Sequence, residues 1–288
     1  MNTSIKYFLL ILIVLSLTSC EDVIQVKLDK GTPLVTVDAF VNDMRSQQKI
    51  RLTYTDNYFS NKKNDPIIGA SVSIKDSNTG QVFNFTDNSN GNYVFNLAIT
   101  DTIGRINHTY ELSVNFKGTT YTSLSKMNRT AQVDSIDVEY RDGSKLGEPK
   151  GYHLKFLGFD KPGVVPDYYW IKSYRNGVYF NQGNSINLAC DGAYSHEADG
   201  FPFIPPISYN IAPDGVFQKY DICRVEIHSI NEQTWNMFYQ VQAQISNSGL
   251  FATTPENVKT NIISNDTKIK VVGWFCMSSV GFREKVVL

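Results

Sequence analysis

The segment Tyr110-Glu111-Leu112-Ser113-Val114-Asn115-Phe116 alternates large apolar and polar residues without a break. Successive side chains of a β-strand point to opposite faces, so this two-residue beat describes a half-buried strand, whereas an amphipathic helix needs a repeat near 3.6. Lys117-Gly118 then turns the chain into Thr119-Thr120-Tyr121, a hairpin partner. The same beat runs through Val35, Val37, Ala39 and Val41, and through Ile50, Leu52 and Tyr54. Asp65-Pro66, Asn78-Thr79-Gly80 and Asn88-Ser89-Asn90-Gly91 are turn signals. Between and after them lie strands with Ala70, Val72 and Ile74 on one face, then 82–85, then Tyr93, Phe95 and Leu97. About seven short strands parted by such turns predict an immunoglobulin-like β-sandwich over residues 34–129.

Residues 130–288 predict a second, β-rich domain with one amphipathic helix. Ile136, Val138 and Tyr140 alternate with charged residues, and strands follow at 152–159, 168–174, 222–227, 268–276 and 280–287. A helix is expected over 230–247, where Ser229 and Glu232 fit a capping box and Gly249 a C-terminal stop. Its apolar stripe is Thr234, Phe238, Val241 and Ile245. Residues 181–220 show little periodicity, and a loop of that length in a folded domain is usually functional or mobile. Within it Phe201, Phe203, Ile204, Pro205 and Pro206 are the candidate contacts with a partner or cargo, because a proline-stiffened apolar loop is costly to leave in water. Tyr168, Tyr169, Trp170, Tyr174, Tyr179 and Phe180 crowd the preceding strands, and alternation sends half of them into the core.

The amino-terminal end has a different character. Lys6 precedes an apolar run at 7–17, too short for a comfortable membrane span, and Leu17-Thr18-Ser19-Cys20 closes it. This resembles the lipobox of bacterial lipoproteins. The resemblance implies a signal peptide at 1–19, acylation of Cys20 and a lipidated tether at 20–33. Glu21 and Asp22 resemble the acidic export tags of surface lipoproteins, which favours the cell surface over the periplasmic face.

Composition removes several functions. With 27 Lys+Arg against 28 Asp+Glu there is no basic footprint for nucleic acid. The 16 Tyr and 17 Phe suit a β-dominated exported protein. Of four cysteines, Cys20 is reserved for lipid; a Cys190–Cys223 disulfide and three buried thiols are both compatible with the remainder.

Motifs for chemistry are missing from the sequence. There is no Gly-x-Ser-x-Gly, His-Glu-x-x-His or phosphate loop. Ser123-Leu124-Ser125-Lys126 matches Ser-x-x-Lys but lacks the companion motifs. Asp191, His196, Glu197 and Asp199 gather beside Cys190, yet a solvated polar loop explains them better than a metal site. His108, His153 and His228 have no visible partner in the sequence. Asp101-Thr102-Ile103 and Asp134-Ser135-Ile136 resemble short O-glycosylation sequences. No catalytic residue, metal or cofactor is expected.

Two wider resemblances complete the reading. Gly69 to Ile74, Gly91 to Tyr93 and Tyr110 to Val114 are similar to the strands of carboxypeptidase-regulatory and collagen-adhesin sandwiches, which are binding or spacer modules. Over nearly the whole chain, the order and spacing of motifs resemble the Bacteroidota outer-membrane lipoproteins catalogued as domain of unknown function 4249. The matching residues are Cys20 to Ile24, Leu34 to Val37, Ser229 to Gln233, Gly249-Leu250-Phe251, Pro255, Asn257, Asn261-Ile262 and Gly273-Trp274-Phe275. That resemblance implies a lipid-anchored outer-membrane protein partnered with a TonB-dependent receptor, serving as an accessory or substrate-binding subunit. A structural subunit of an outer-membrane assembly or secretion complex, and a surface glycan-binding protein, are the alternatives.

Overall fold

In the computed structural model, the strand alternation becomes two sheets, one hairpin and one docked helix. The structure describes residues 31–57, 60, 62–97, 102–144, 149–163, 166–182, 186–190, 200–205, 207–209, 211–212, 215–247 and 258–288. By contacts the chain divides into Met1–Thr32 and Pro33–Leu288, and every element below lies in the second unit.

The first sheet takes β1 (Val35–Asn42), β2 (Gln48–Tyr54), β3 (Ser71–Asp76), β4 (Val82–Asp87), β5 (Asn92–Phe95), β6 (Thr109–Phe116) and β7 (Thr119–Lys126). From the far end of the chain it also takes β14 (Ile263–Ser264) and β15 (Val271–Ser278). Its order is β14-β7-β6-β3-β4-β5-β2-β1-β15. The bend is at β4, which pairs with β3 through residues 82–85 and with β5 through Thr86 and Asp87. The two halves therefore face each other across one core, with Val37, Ala39, Val41, Ile50 and Leu52 opposing Val72, Ile74, Leu112 and Val114.

This sheet curls until β15 returns beside β7, and side chains close the seam where a strand pairing is missing. Asn261 accepts the Phe275 N–H (2.9 Å) and donates to the Phe275 carbonyl (2.7 Å). Thr260 Oγ1 donates to the Gly273 carbonyl (2.7 Å), and Ser125 Oγ on β7 accepts the Met277 N–H (2.9 Å). A row of unpaired backbone groups along a strand is a template for adventitious pairing, and these side chains occupy it. On its other side β15 runs parallel to β1, with Gly273 opposite Val37.

The second sheet comprises β10 (Tyr168–Arg175), β11 (Val178–Tyr179), β12 (Asn187–Cys190), β13 (Ile222–Ile230) and β16 (Val280–Val286). Its path is β11-β10-β13-β16, with β12 also on β10. The hairpin of β8 (Gln132–Arg141) and β9 (Gly151–Phe159) joins Val133, Ile136, Leu154 and Phe156 to Tyr169, Ile171, Val225 and Ile227 in a second core. A third core lies under α1 (Glu232–Ile245), where Met237 and Phe238 meet Trp170 of one sheet and Trp274 and Cys276 of the other.

The mainly β class, with a single helix among the described residues, agrees with the sequence reading; other details differ. β14 and β15, which fall within residues 130–288, hydrogen bond into the first sheet, and the chain crosses to β16 at Ser279. The helix runs Glu232–Ile245 with Ser246 as its C-cap, and its start is displaced from the expected cap. The N-cap is Asn231, whose side chain accepts the Thr234 N–H at 2.8 Å, because β13 runs on to Ile230. Ser229 is used as a strand-to-strand stitch, donating to the Asn128 carbonyl and accepting the Ser279 N–H. The buried helix residues are Thr234, Met237 and Phe238, while Ile245 is exposed. Gly249 lies outside the described residues.

Candidate functional site

The candidate contact residues divide by side chain. Phe201 and Ile204 are each 58% exposed and Pro205 is exposed, whereas Phe203 turns inward with ring centroids 5.6 Å from Phe156 and 5.5 Å from Tyr169. Pro206 lies outside the described residues. The backbone beneath this edge is held to β9 and its continuation. The Phe203 N–H donates to the Gly158 carbonyl (2.9 Å), and the Asp160 N–H to the Phe201 carbonyl (3.0 Å). Phe203 acts as the plug that orients its exposed neighbours, and the exposed Phe159 lies opposite Pro202.

Buried polar groups brace the same region. The Tyr169 hydroxyl donates to the Asp160 carboxylate, which also accepts the Gly200 N–H at 3.3 Å. Burial first, and then the Asp160 charge, push the Tyr169 hydroxyl pKa far up, so it remains a donor. Arg129 binds Asp167 at 2.7 Å and the carbonyls of Lys161 and Pro162. The guanidinium thereby ties the start of β8 to the turn before β10.

Cys20 and the acidic group Asp191, His196, Glu197 and Asp199 lie outside the described residues. Among the described residues no cluster of three metal-ligating side chains forms. Ser123 is buried and Lys126 exposed, on opposite faces of β7, so the Ser-x-x-Lys pair does not converge. The six aromatics from Tyr168 to Phe180 are buried or half-buried and do not make an open stacking platform.

A Cys190–Cys223 disulfide is ruled out by register. Cys190 pairs with Tyr168 and Cys223 with Arg175, at opposite ends of β10. At ~3.3 Å per residue that is about 23 Å, against the ~7 Å limit between bridged Cα atoms. Burial pushes the Cys223 thiol up to about 12 and the Cys276 thiol up to about 11. Native protein treated with iodoacetamide at pH 8 is therefore expected to label neither Cys223 nor Cys276 until urea is added. A Cys190–Cys223 crosslink in non-reducing peptide maps would contradict this placement.

His108, His153 and His228 do have partners. His108 Nδ1 is 2.8 Å from Asp76 Oδ2, and His153 Nε2 is 2.8 Å from the Pro149 carbonyl. His228 belongs to a buried charged cluster. Because Cys223, Val225 and Ile227 face the second core, alternation sends Arg224, Glu226 and His228 to the opposite face of β13. Register then places Glu226 opposite Lys172 and Arg224 opposite Tyr174. Glu226 accepts from the Tyr174 hydroxyl (2.8 Å), Arg224 Nε (2.8 Å) and His228 Nε2 (2.9 Å). Lys172 Nζ lies 3.9 Å from the Trp170 ring centroid, and burial brings its pKa down to about 8.

Burial, reinforced by Lys172, holds the His228 pKa below the ordinary imidazole range. Glu226 is pushed up by burial, but the donors around it prevail and hold it below the ordinary carboxylate range. A folded-state His pKa below the unfolded value means that, under pH ~6.5, the unfolded chain takes a proton the folded chain refuses. Stability is therefore expected to fall as pH drops from 7 to 5, by about 2 kcal/mol from His228. Glu226 adds a further loss below the ordinary Glu pKa. Urea midpoints for wild type and His228→Gln across that range are the check, and the variant should lose most of the slope.

The architecture defines a mainly β protein in which a helix packs against both the near-closed sheet and the second sheet. The chain belongs to the family described as Domain of unknown function (DUF4249), whose model matches residues 21–284. No curated protein matches it. One similar solved structure is described as "Structural insight into host cell surface retention of a 1.5-MDa bacterial ice-binding adhesin". That match has 10% identity and a TM-score of 0.17, covering 90% of this chain and 65% of the adhesin chain.

Proposed function

We propose that this protein is a non-catalytic, lipid-anchored outer-membrane protein, serving as the accessory or substrate-binding subunit of a TonB-dependent transporter. Acylated Cys20 holds it to the membrane, at ~0.8 kcal/mol per buried methylene, with the cell surface as the favoured face. The observation that carries the reading is the 201–205 edge. Two large apolar side chains stand more than half exposed on backbone already hydrogen-bonded to β9. A preorganised apolar edge loses little entropy on docking, which is what a constitutive protein partner requires.

The test is a mild-detergent pull-down of the native lipoprotein from outer membranes, with copurifying proteins identified by mass. A stoichiometric TonB-dependent receptor is expected with wild type and not with the Phe201→Ser, Ile204→Ser double variant. Wild-type protein recovered alone would overturn the reading.

A further inference from the structure

Between α1 and the outward faces of β1 and β15 lies a cleft of about 370 Å³. Strand alternation builds its floor. Val35, Val37, Ala39 and Val41 point into the first core, so Thr36, Asp38 and Phe40 point away from it. The parallel register sets Thr36 beside Val272 and Asp38 beside Trp274. Met237, Phe238 and Val241 of α1, with Val258 and Lys259, complete the lining. The volume is at the lower end of the ~300–1,000 Å³ typical of small-molecule sites, and apolar walls around a few polar groups are their usual make-up.

Two polar groups in this cleft make no direct hydrogen bond to any described residue. Thr36 Oγ1 is buried and has no hydrogen bond. The Asp38 carboxylate makes no hydrogen bond or ion pair with any described residue, although Arg51 is its cross-strand neighbour. A buried hydroxyl left unpaired, as Thr36 Oγ1 is, costs about 1–3 kcal/mol, which a ligand able to donate to it offsets. Asp38 is solvent-exposed at the open side of the cleft, with protein packed around the base of its side chain. That desolvation raises its pKa, while Lys49, Arg51 and Lys172 work to keep it ionised. Those three cations are not part of the lining: Lys49 and Arg51 are exposed on β2, and Lys172 sits on the Trp170 ring.

We infer that the cleft binds a small organic amine with an apolar body, its ammonium donating to the Asp38 carboxylate and the Thr36 hydroxyl. The apolar body lies against Phe40, Phe238 and Trp274, whose ring faces also favour a cation. An anionic ligand of the same shape meets Asp38 on the floor and only the exposed Lys259 within the lining. The cleft shares no residue with the 201–205 edge, so its ligand does not depend on the transporter reading.

The test uses the full-length protein, titrated with 2-phenylethylamine and, separately, with 3-phenylpropionate, by calorimetry and ligand-detected NMR. Saturable binding of the amine, weakened at least about tenfold by Asp38→Asn and abolished by the cleft-filling Val241→Trp, is expected. Thermal unfolding confirms that each variant is folded, and the acid serves as a control that needs no variant. The inference is overturned if the acid binds as tightly as the amine, if Asp38→Asn leaves amine binding unchanged, or if neither probe binds at millimolar concentration.

Discussion

Gly273→Ala is expected to cost about 4 kcal/mol or more and to loosen β15 from β1. Gly273 has φ +111°, a conformation L side chains rarely adopt, and a Cβ there would lie 2.0 Å from the Val37 carbonyl oxygen and 2.6 Å from the Val37 nitrogen. The obstacle is backbone, so no rotamer change relieves it. Strain of this kind costs about 1–3 kcal/mol by itself. Parting the strands adds lost ladder hydrogen bonds and disturbs Trp274, whose indole N–H donates to Thr234 Oγ1 at 2.9 Å and fastens α1 to the sheet. Urea unfolding followed by near-ultraviolet circular dichroism measures both effects. A loss below about 1 kcal/mol with an unchanged aromatic spectrum would falsify this account.

Asn261→Ala is expected to cost about 3 kcal/mol at the seam between β15 and β7. Its carboxamide meets the N–H and the carbonyl of Phe275 together, in the way a neighbouring strand would. Truncation orphans both backbone groups of a fully buried residue, at about 1–3 kcal/mol each, with some relief from water at the edge. Asn261→Asp supplies only acceptors when ionised, so the carbonyl is left facing negative charge. It should lose about as much stability as alanine at pH 7, read from the same denaturation curves. An Asp variant as stable as wild type would show that the carbonyl contact contributes nothing.

Residues that carried the family resemblance prove to be joints. Asn261 closes the seam, Gly273 permits the β1–β15 contact, and Trp274 receives the helix. Ser229 looked like a helix cap because Glu232 follows at the capping-box distance. Asn231 wins that role because Ser229 and Ile230 are still held in β13 by the ladder to β10. The 201–205 edge was legible as an apolar, proline-stiffened loop, but which of its aromatics face outward was not. Phe203 turns inward because Phe156 and Tyr169 leave it a place, and neither is near it in sequence.

Local chemistry determined the mainly β class, most strand positions and the existence of one helix, because side-chain period and turn residues act over a few neighbours. Tertiary structure alone decided that β14 and β15 join the first sheet, that Cys190 and Cys223 stand at opposite ends of β10, and that Thr36 and Asp38 look into a cleft roofed by α1. Strand pairing of this kind joins residues more than two hundred positions apart, as Val35 with Val271. Such pairing is selected by which backbone groups and apolar faces remain unsatisfied once the local elements exist, a condition no short stretch of sequence contains.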